Sequence, residues 1–361
     1  MKRKQPLREK LDFFLFRQFR KNEAKIHELR YLFWECTLRC NIDCLHCGSD
    51  CTASSDWTDM PFEDFRKVLH SVKNYYNPAE ILIAITGGEP LMRRGLARCG
   101  EEISRLGFKW GIVTNGIAYD KEKHTELLDA GLNSLTLSLD GMEHNHNWLR
   151  NSSISFTRAS RALELISDSK HLDYDVVTCV NRRNIGELGQ LKEFLESSGC
   201  KAWRLFTIAP LGRAKGNGEL LLGPAELVQL MDFIEQNRQS SQMTIQFSCE
   251  AYTGRFENRV RDGLFFCRAG IHIGSVLADG SVSACPNINR TFAQGNIYET
   301  DFMDIWLSRF EVMRKRNWTQ KGMCSGCKEY KSCGGSGLHL WNSPDGELLQ
   351  CHCMMIEEGN G

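Results

Sequence analysis

From residue 30 to about 240, short β-branched or aromatic runs alternate with longer amphipathic stretches, the pattern of parallel strands joined by helical crossovers. The short β-branched or aromatic runs predict strands at 31–36, 81–86, 110–114, 134–140, 174–180 and 203–208. The helical period predicts helices at 61–75, 92–106, 121–130, 153–167, 185–197 and 224–238. Six such units fall short of the eight that close a barrel, so the expected class is α/β, a partial (β/α)6 TIM-like barrel. Several strands run straight into turn residues: Thr86-Gly87-Gly88, Thr114-Asn115-Gly116 and Asp140-Gly141. Turns at the carboxyl ends of parallel strands form the rim where ligands bind, so chemistry is sought there.

After about residue 243 helical periodicity weakens and glycine and cysteine rise, and residues 271–277 and 281–285, joined through 278–280, read as a hairpin. The chain thus divides into a basic amphipathic extension at 1–29, a core domain at 30–242 and a cysteine-rich domain at 243–361. The last holds eight of sixteen cysteines and little continuous apolar sequence, which predicts metal centres as covalent staples. In the extension, Leu7, Leu11, Leu15 and Phe19, with Phe14, place an apolar stripe along one side of a helix. That stripe either packs on the domain or docks a partner or a membrane surface.

Composition narrows the classes. A chain of 361 residues with 42% hydrophobic content buries a substantial core. Lysine plus arginine equals aspartate plus glutamate, 45 of each, so no bulk field favours nucleic acid. The balance is uneven, because the first thirty residues hold ten of the cations and only four of the acids. No run of about 20 apolar residues predicts a transmembrane segment. Sixteen cysteines in a chain this long, without an N-terminal apolar run and small-residue cleavage site, point to a reducing cytoplasm and to metal binding.

The candidate chemistry lies in Cys36-Thr-Leu-Arg-Cys40-Asn-Ile-Asp-Cys44-Leu-His-Cys47-Gly-Ser-Asp-Cys51, where Cys40, Cys44 and Cys47 give a Cys-x3-Cys-x2-Cys spacing. Three thiolates on a loop just after a strand can hold three irons of a cubane cluster and leave the fourth open for chemistry. Zinc is the alternative, but a structural zinc site usually adds a second cysteine pair close by and closes at four ligands. Cys36 and Cys51 fall outside the spacing and read as packing thiols, as do Cys99, Cys179 and Cys200 in or beside predicted elements.

Together with Thr86-Gly87-Gly88-Glu89-Pro90 after the second strand, the cysteine triplet resembles the radical S-adenosylmethionine (SAM) superfamily. The resemblance implies a 4Fe–4S cluster on Cys40, Cys44 and Cys47, with SAM on the open iron cleaved to a 5′-deoxyadenosyl radical. It also implies cofactor contacts from Gly87, Gly88, Glu89 and Pro90, where a backbone without Cβ can approach the methionine ammonium. Ser138, at the fourth strand end, and Arg150 resemble cofactor contacts of the peptide-modifying branch, a guanidinium fork suiting the cofactor carboxylate. The other reading of Arg150 is a surface salt bridge. Asn115 is a further candidate, though asparagine before glycine is also a turn signal. The family usually has an aromatic residue just before the third cysteine; here His46 takes the place and can still stack on the adenine.

Cys267, Gly280 and Cys285, then Cys324-x2-Cys327-x5-Cys333, then Cys351 and Cys353 resemble the SPASM domain, which implies one or two auxiliary iron–sulfur clusters. One can be drawn with Cys324, Cys327, Cys333 and either Cys351 or Cys353; the other, around Cys267 and Cys285, draws on Cys249 or the unused C-terminal cysteine. The departure is Gly337, which stands where the pattern has a cysteine. Zinc remains the alternative here too.

The resemblance implies a maturase that oxidatively modifies a peptide or small protein side chain, with an electron donor such as flavodoxin or ferredoxin. The Tyr-Leu-Phe-Trp-Glu-Cys-Thr-Leu-Arg-Cys and Cys-Gly-Ser-Asp-Cys segments resemble a bacterial group associated with a small lipoprotein precursor. Sulfatase-activating relatives carry an aspartate proton acceptor where this chain has Pro286, which disfavours formylglycine formation. The rival is a non-catalytic iron–sulfur or zinc-binding adaptor that keeps the fold.

Overall fold

A computed structural model describes residues 7–53, 58–248 and 250–359, with the side chains of 7–10 excepted. Strands β1 (Tyr31–Glu35), β2 (Leu82–Thr86), β3 (Lys109–Thr114), β4 (Ser134–Ser138), β5 (Asp173–Val180) and β6 (Ala202–Thr207) match the six expected runs and pair in parallel, each with the next. Helices α1 (Leu7–Ile26), α2 (Phe62–Lys73), α3 (Leu96–Arg105), α4 (Lys121–Asp129), α5 (Glu143–Arg150), α6 (Ser155–Ser167), α7 (Leu188–Ser197) and α8 (Pro224–Arg238) precede, join and follow them. The packing explains the pairing of β1 with α2. Leu32 and Trp34 of β1 face outward and are fully buried, and Trp34 stacks on Phe65 at 4.5 Å. On α2 the buried positions Phe65, Val68, Leu69 and Val72 form one stripe at helical spacing.

The sheet is larger than six strands. A further strand, β7 (Thr244–Phe247), adds parallel to β6, and the expected hairpin appears as β8 (Ile273–Val276) and β9 (Ser281–Ser283), followed by β10 (Gly295–Asn296). Instead of standing alone, the hairpin adds to the free edge of β1: β8 pairs with it in parallel, Tyr31 opposite Ile273. The result is one ten-stranded open sheet ordered β10-β9-β8-β1-β2-β3-β4-β5-β6-β7. Covering the exposed edge of a first strand satisfies its ladder groups. The remainder is short helices: α9 (Phe302–Ser308), α10 (Glu311–Arg314), α11 (Tyr330–Cys333) and α12 (His352–Glu358).

Helix α1 is docked by Phe13, Phe16, Arg20 and Glu23, while Leu11, Phe14, Leu15 and Phe19 of the expected stripe are exposed; the Leu7 side chain lies outside the described residues. Among the described residues no helix is long and apolar enough to cross a membrane.

Candidate functional site

The cysteine loop leaves β1 and lies against the turn that follows β2. Cys36 N–H donates to the Thr86 carbonyl at 2.9 Å, Gly88 N–H to Thr37 at 2.8 Å and Glu89 N–H to Arg39 at 2.9 Å, so the strand pairing continues past the strand ends. This close approach gives the two glycines a physical reason. A Cβ on Gly87 would stand 2.0 Å from the Thr37 carbonyl oxygen, and one on Gly88 2.3 Å from that of Arg39. Glu89 is buried and ties this turn to the next: one oxygen accepts from the Thr114 hydroxyl at 2.8 Å and Leu91 N–H at 3.2 Å, the other from Asn115 N–H at 2.8 Å. Pro90 then opens a single 3-10 turn, Pro90–Met92.

Cys40, Cys44 and Cys51 are buried in one small cluster, with Cys47 packed against it. Burial, then Glu89 and the neighbouring thiols, push the Cys40 thiol up to about 11. Two thiols receive donors from the rim: Asn115 Nδ2 reaches Cys40 Sγ at 3.9 Å, and Arg150 Nη1 reaches Cys44 Sγ at 3.7 Å. A hydrogen bond from Cys51, opposed by burial, brings the Cys47 thiol below the ordinary thiol range. The expected packing thiol Cys51 is therefore a direct neighbour of a candidate ligand.

Arg150 is buried, which answers the surface-pair reading. Its Nε donates to Asp140 Oδ2 at 2.6 Å, and Asp140, itself fully buried, accepts Cys179 N–H through Oδ1 at 2.8 Å. Burial alone would raise the Asp140 carboxyl; Arg150, with His46 and His146, holds it below the ordinary carboxylate range. His46 lies alongside, one of its ring nitrogens within 4.8 Å of ligand atoms of Asp140 and Cys179. Burial and the Arg150 charge push His46 down to about 4, and its Nδ1 is buried without a partner. Ser138, the last residue of β4, lies two positions before Asp140 and is buried at the same rim.

Two contributors were missed from the sequence. Helix α5, which delivers Arg150, has the polar sequence Glu-His-Asn-His-Asn-Trp-Leu-Arg, with no apolar period to announce it. Arg213, after β6, straps the loop: its N–H donates to the Cys47 carbonyl at 3.1 Å, Nη1 to that of Cys44 at 2.9 Å, Nη2 to that of Cys51, and Nε to Asp50 at 2.8 Å. Gly212 permits the approach, since a Cβ there would meet the Cys47 carbonyl oxygen at 2.4 Å. The Pro210-Leu-Gly212 turn was the only local signal.

In the C-terminal part the structure gathers Cys324, Cys327, Cys333 and Cys351. Burial, then Cys351 and Cys327, push the Cys324 thiol up to about 11; burial, with Cys351 and Cys324 among the causes, pushes Cys333 up to about 12. Cys353 sits in a small cluster with Tyr252 and Phe265, against which Cys267, Cys333 and Cys351 also pack, and burial, with Cys351 and Cys333 among the further causes, pushes its thiol up. Cys285, just beyond β9, packs on the main core, and Cys249 lies outside the described residues. Gly337 has no room for a side chain, because a Cβ would stand 2.1 Å from the Glu250 carbonyl oxygen and 2.6 Å from the His339 ring.

The donor chemistry fits an iron–sulfur cluster with a bound zwitterionic ligand: soft thiols on one loop, a buried cation beside them and, on His46 in the same loop, a buried imidazole nitrogen without a hydrogen-bond partner.

Comparison with known proteins agrees. Residues 34–195 match the radical SAM superfamily and residues 267–328 match SPASM, an iron–sulfur cluster-binding domain. An AdoMet-dependent heme synthase of Oleidesulfovibrio alaskensis is 23% identical, covering 87% of this chain and 86% of the relative. The mycofactocin maturase MftC of Mycobacterium ulcerans is 27% identical, covering 88% and 87%. The structure of anSMEcpe with bound AdoMet and the Cp18Cys peptide superposes with a TM-score of 0.71 at 20% identity, covering 92% and 95%. The chain carries a radical SAM domain followed by a SPASM domain, and its cofactors are those of that pairing, a 4Fe–4S cluster, SAM and auxiliary iron–sulfur.

Proposed function

We propose that this protein is a maturase that oxidatively modifies a peptide or protein side chain. Cys40, Cys44 and Cys47 hold the catalytic cluster, and His46, Gly87, Gly88, Glu89, Pro90, Asn115, Ser138 and Arg150 form the SAM site. When bound, these cofactors supply reductive cleavage of SAM to a 5′-deoxyadenosyl radical, which takes a hydrogen atom from the substrate. The chain's own residues order the site. Arg150, held by Asp140, presents a fixed cation beside Cys44 that suits a carboxylate. Glu89 fixes the turns after β2 and β3 relative to each other, and Arg213 keeps the loop folded over the rim.

The reading rests on one observation above all: three thiols of the loop meet at the strand-end rim, where Asn115 and Arg150 donate to two of them. A peptide substrate follows from the likeness to maturases and to a structure holding a peptide. The heme synthase relatives favour a second reading, a tetrapyrrole substrate. Cys324, Cys327, Cys333 and Cys351 form one auxiliary ligand set, and Cys267, Cys285 and Cys353 belong to the other. We place the protein in the cytoplasm with a flavodoxin or ferredoxin as donor, and a small lipoprotein precursor is one candidate substrate.

Anaerobically reconstituted protein given SAM and a reductant should release 5′-deoxyadenosine. None from fully loaded protein would favour the adaptor instead. Peptides encoded beside the gene, then iron-free and iron-bound coproporphyrins, should be tested for a mass change that separates the two substrate classes.

A further inference from the structure

Helix α1 is fastened to the molecule along one side. Phe13 meets Tyr252 edge-on at 6.5 Å, Phe16 meets Phe266 at 6.3 Å, Arg20 donates to the Lys331 carbonyl at 3.0 Å, and Glu23 pairs with His272 at 2.6 Å. The opposite side carries Leu11, Phe14, Leu15, Phe19 and Ile26, each between 45% and 62% exposed. At 3.6 residues per turn these five form one stripe about 22 Å long. Phe19 touches Phe266 at its edge, at 6.1 Å, and is still 45% exposed. Along one flank run Arg17, Lys21 and Lys25, a row at four-residue spacing, with the Arg17 guanidinium 6.0 Å from the centre of the Phe14 ring.

We propose that α1 is an interfacial helix that seats the protein on an anionic lipid surface. Charge distribution is the first support. The first thirty residues carry six more cations than acids while the chain sums to zero, so the remaining residues carry six more acids than cations. An anionic surface therefore attracts this end and repels the rest, which orients the molecule as well as binding it. The second support is the stripe itself. Five large apolar side chains along one line are a costly face to leave in water, and a bilayer accepts a convex helix without needing a matching groove.

A protein partner fits less well. Gln18 and Asn22 lie along the middle of the stripe and are exposed. A dry helix–helix interface would bury both amides, at a cost unless each found a hydrogen-bond partner. At headgroup depth the same amides stay hydrated. The inference uses none of the cluster residues and stands apart from the catalytic reading.

The test is flotation of the full, anaerobically reconstituted chain with vesicles of phosphatidylcholine alone or with about a third phosphatidylglycerol. The expected result is recovery with the anionic vesicles, little with the neutral ones, and release by high salt. Leu15→Glu, on the exposed face, should weaken partition about tenfold or more while leaving iron content and circular dichroism unchanged. Lys21→Glu with Lys25→Glu should weaken it by about fivefold or more for each position changed. The inference is overturned if neither vesicle floats the protein, if both do so equally, or if Leu15→Glu floats like the parent. A dimer in light scattering that Leu15→Glu dissolves would also overturn it, assigning the stripe to a second copy. Preferential capture by an acidic amphipathic peptide, with none by anionic vesicles, would assign it to a protein partner.

Discussion

Replacing Arg150 by methionine keeps most of the side chain's volume and removes its charge, leaving Asp140 as a buried carboxylate without its cation. In the parent the two are 2.6 Å apart, with side chains 9% and 0% exposed. Breaking such a pair from one side costs about 3–5 kcal/mol, mostly because the remaining charge stays buried. Unfolding entropy of ~2.1 cal/mol/K per residue gives roughly 0.76 kcal/mol/K for 361 residues, so Tm should fall by about 4–7 °C. Adding Asp140→Asn removes the stranded charge while its amide oxygen can still accept from Cys179 N–H. The double variant should therefore recover about half of that loss or more. The assay is thermal unfolding of the three metal-free proteins and the parent at one pH, followed by circular dichroism. A second readout is alkylation of Cys44, which should slow in Arg150→Met because the nearby cation that favours its thiolate is gone. An Arg150→Met protein melting within about 1 °C of the parent, or a double variant whose loss is the sum of the two single losses, would refute the buried-pair account.

Three other outcomes follow from the same geometry. His146 accepts Asp140 N–H through Nδ1 at 2.9 Å and meets Ser155 Oγ through Nε2 at 2.9 Å, and burial, against the pull of Asp140, pushes it down to about 3. The unfolded chain then binds the extra proton between about 3 and 6.5, so stability is lost as pH falls through that window, and His146→Gln should flatten the profile in urea unfolding. Cys44→Ala should abolish 5′-deoxyadenosine release, whereas Cys51→Ala should keep the cluster and lower release less than about tenfold, because it removes only a donor to Cys47; equal loss in both would place Cys51 among the ligands. Gly337→Cys should lower both Tm and iron content despite restoring the missing thiol, since its Cβ would collide with the Glu250 backbone at 2.1 Å; a gain in iron would contradict that.

The parallel core was legible because its strands are short β-branched or aromatic runs set between amphipathic stretches and its turns carry glycine, so all six expected strands appear in order. The cysteine triplet and the Gly-Gly-Glu-Pro turn were legible because ligand spacing is local. What the sequence hid was non-local. Nothing in residues 273–276 says that they will pair with β1, some 240 positions earlier, since any unpaired edge can accept a short strand. Helix α5 has too few apolar positions to show a period, and it is held instead by contacts such as Phe156 N–H to Asn147 at 2.8 Å and His146 to Ser155. Arg213 was invisible for a related reason: it acts on carbonyls more than 160 residues away, and backbone acceptors leave no signature in sequence. The glycines at 87 and 88 were expected to admit a cofactor, and their immediate neighbour turns out to be the cysteine loop itself.

The shared sheet constrains how the two cysteine-rich regions work together. Strand β1 runs directly into the Cys36–Cys51 loop, and its other neighbour, β8, leads through β9 to Cys285. Buried Glu35, at the end of β1, accepts Ala278 N–H at 2.9 Å and pairs with Arg290 at 2.8 Å, fastening the hairpin turn beside the mouth of the cysteine loop. Removing everything after residue 243 would strip β1 of its β8 partner, leave Glu35 without its donors and expose the hydrogen-bonding edge of the first strand. The truncated core should therefore aggregate or lose iron at Cys40, Cys44 and Cys47, although none of those ligands is deleted. A soluble core fragment binding four irons and cleaving SAM at the parent's rate would show instead that the hairpin is only a neighbour, and that the two regions are mechanically independent.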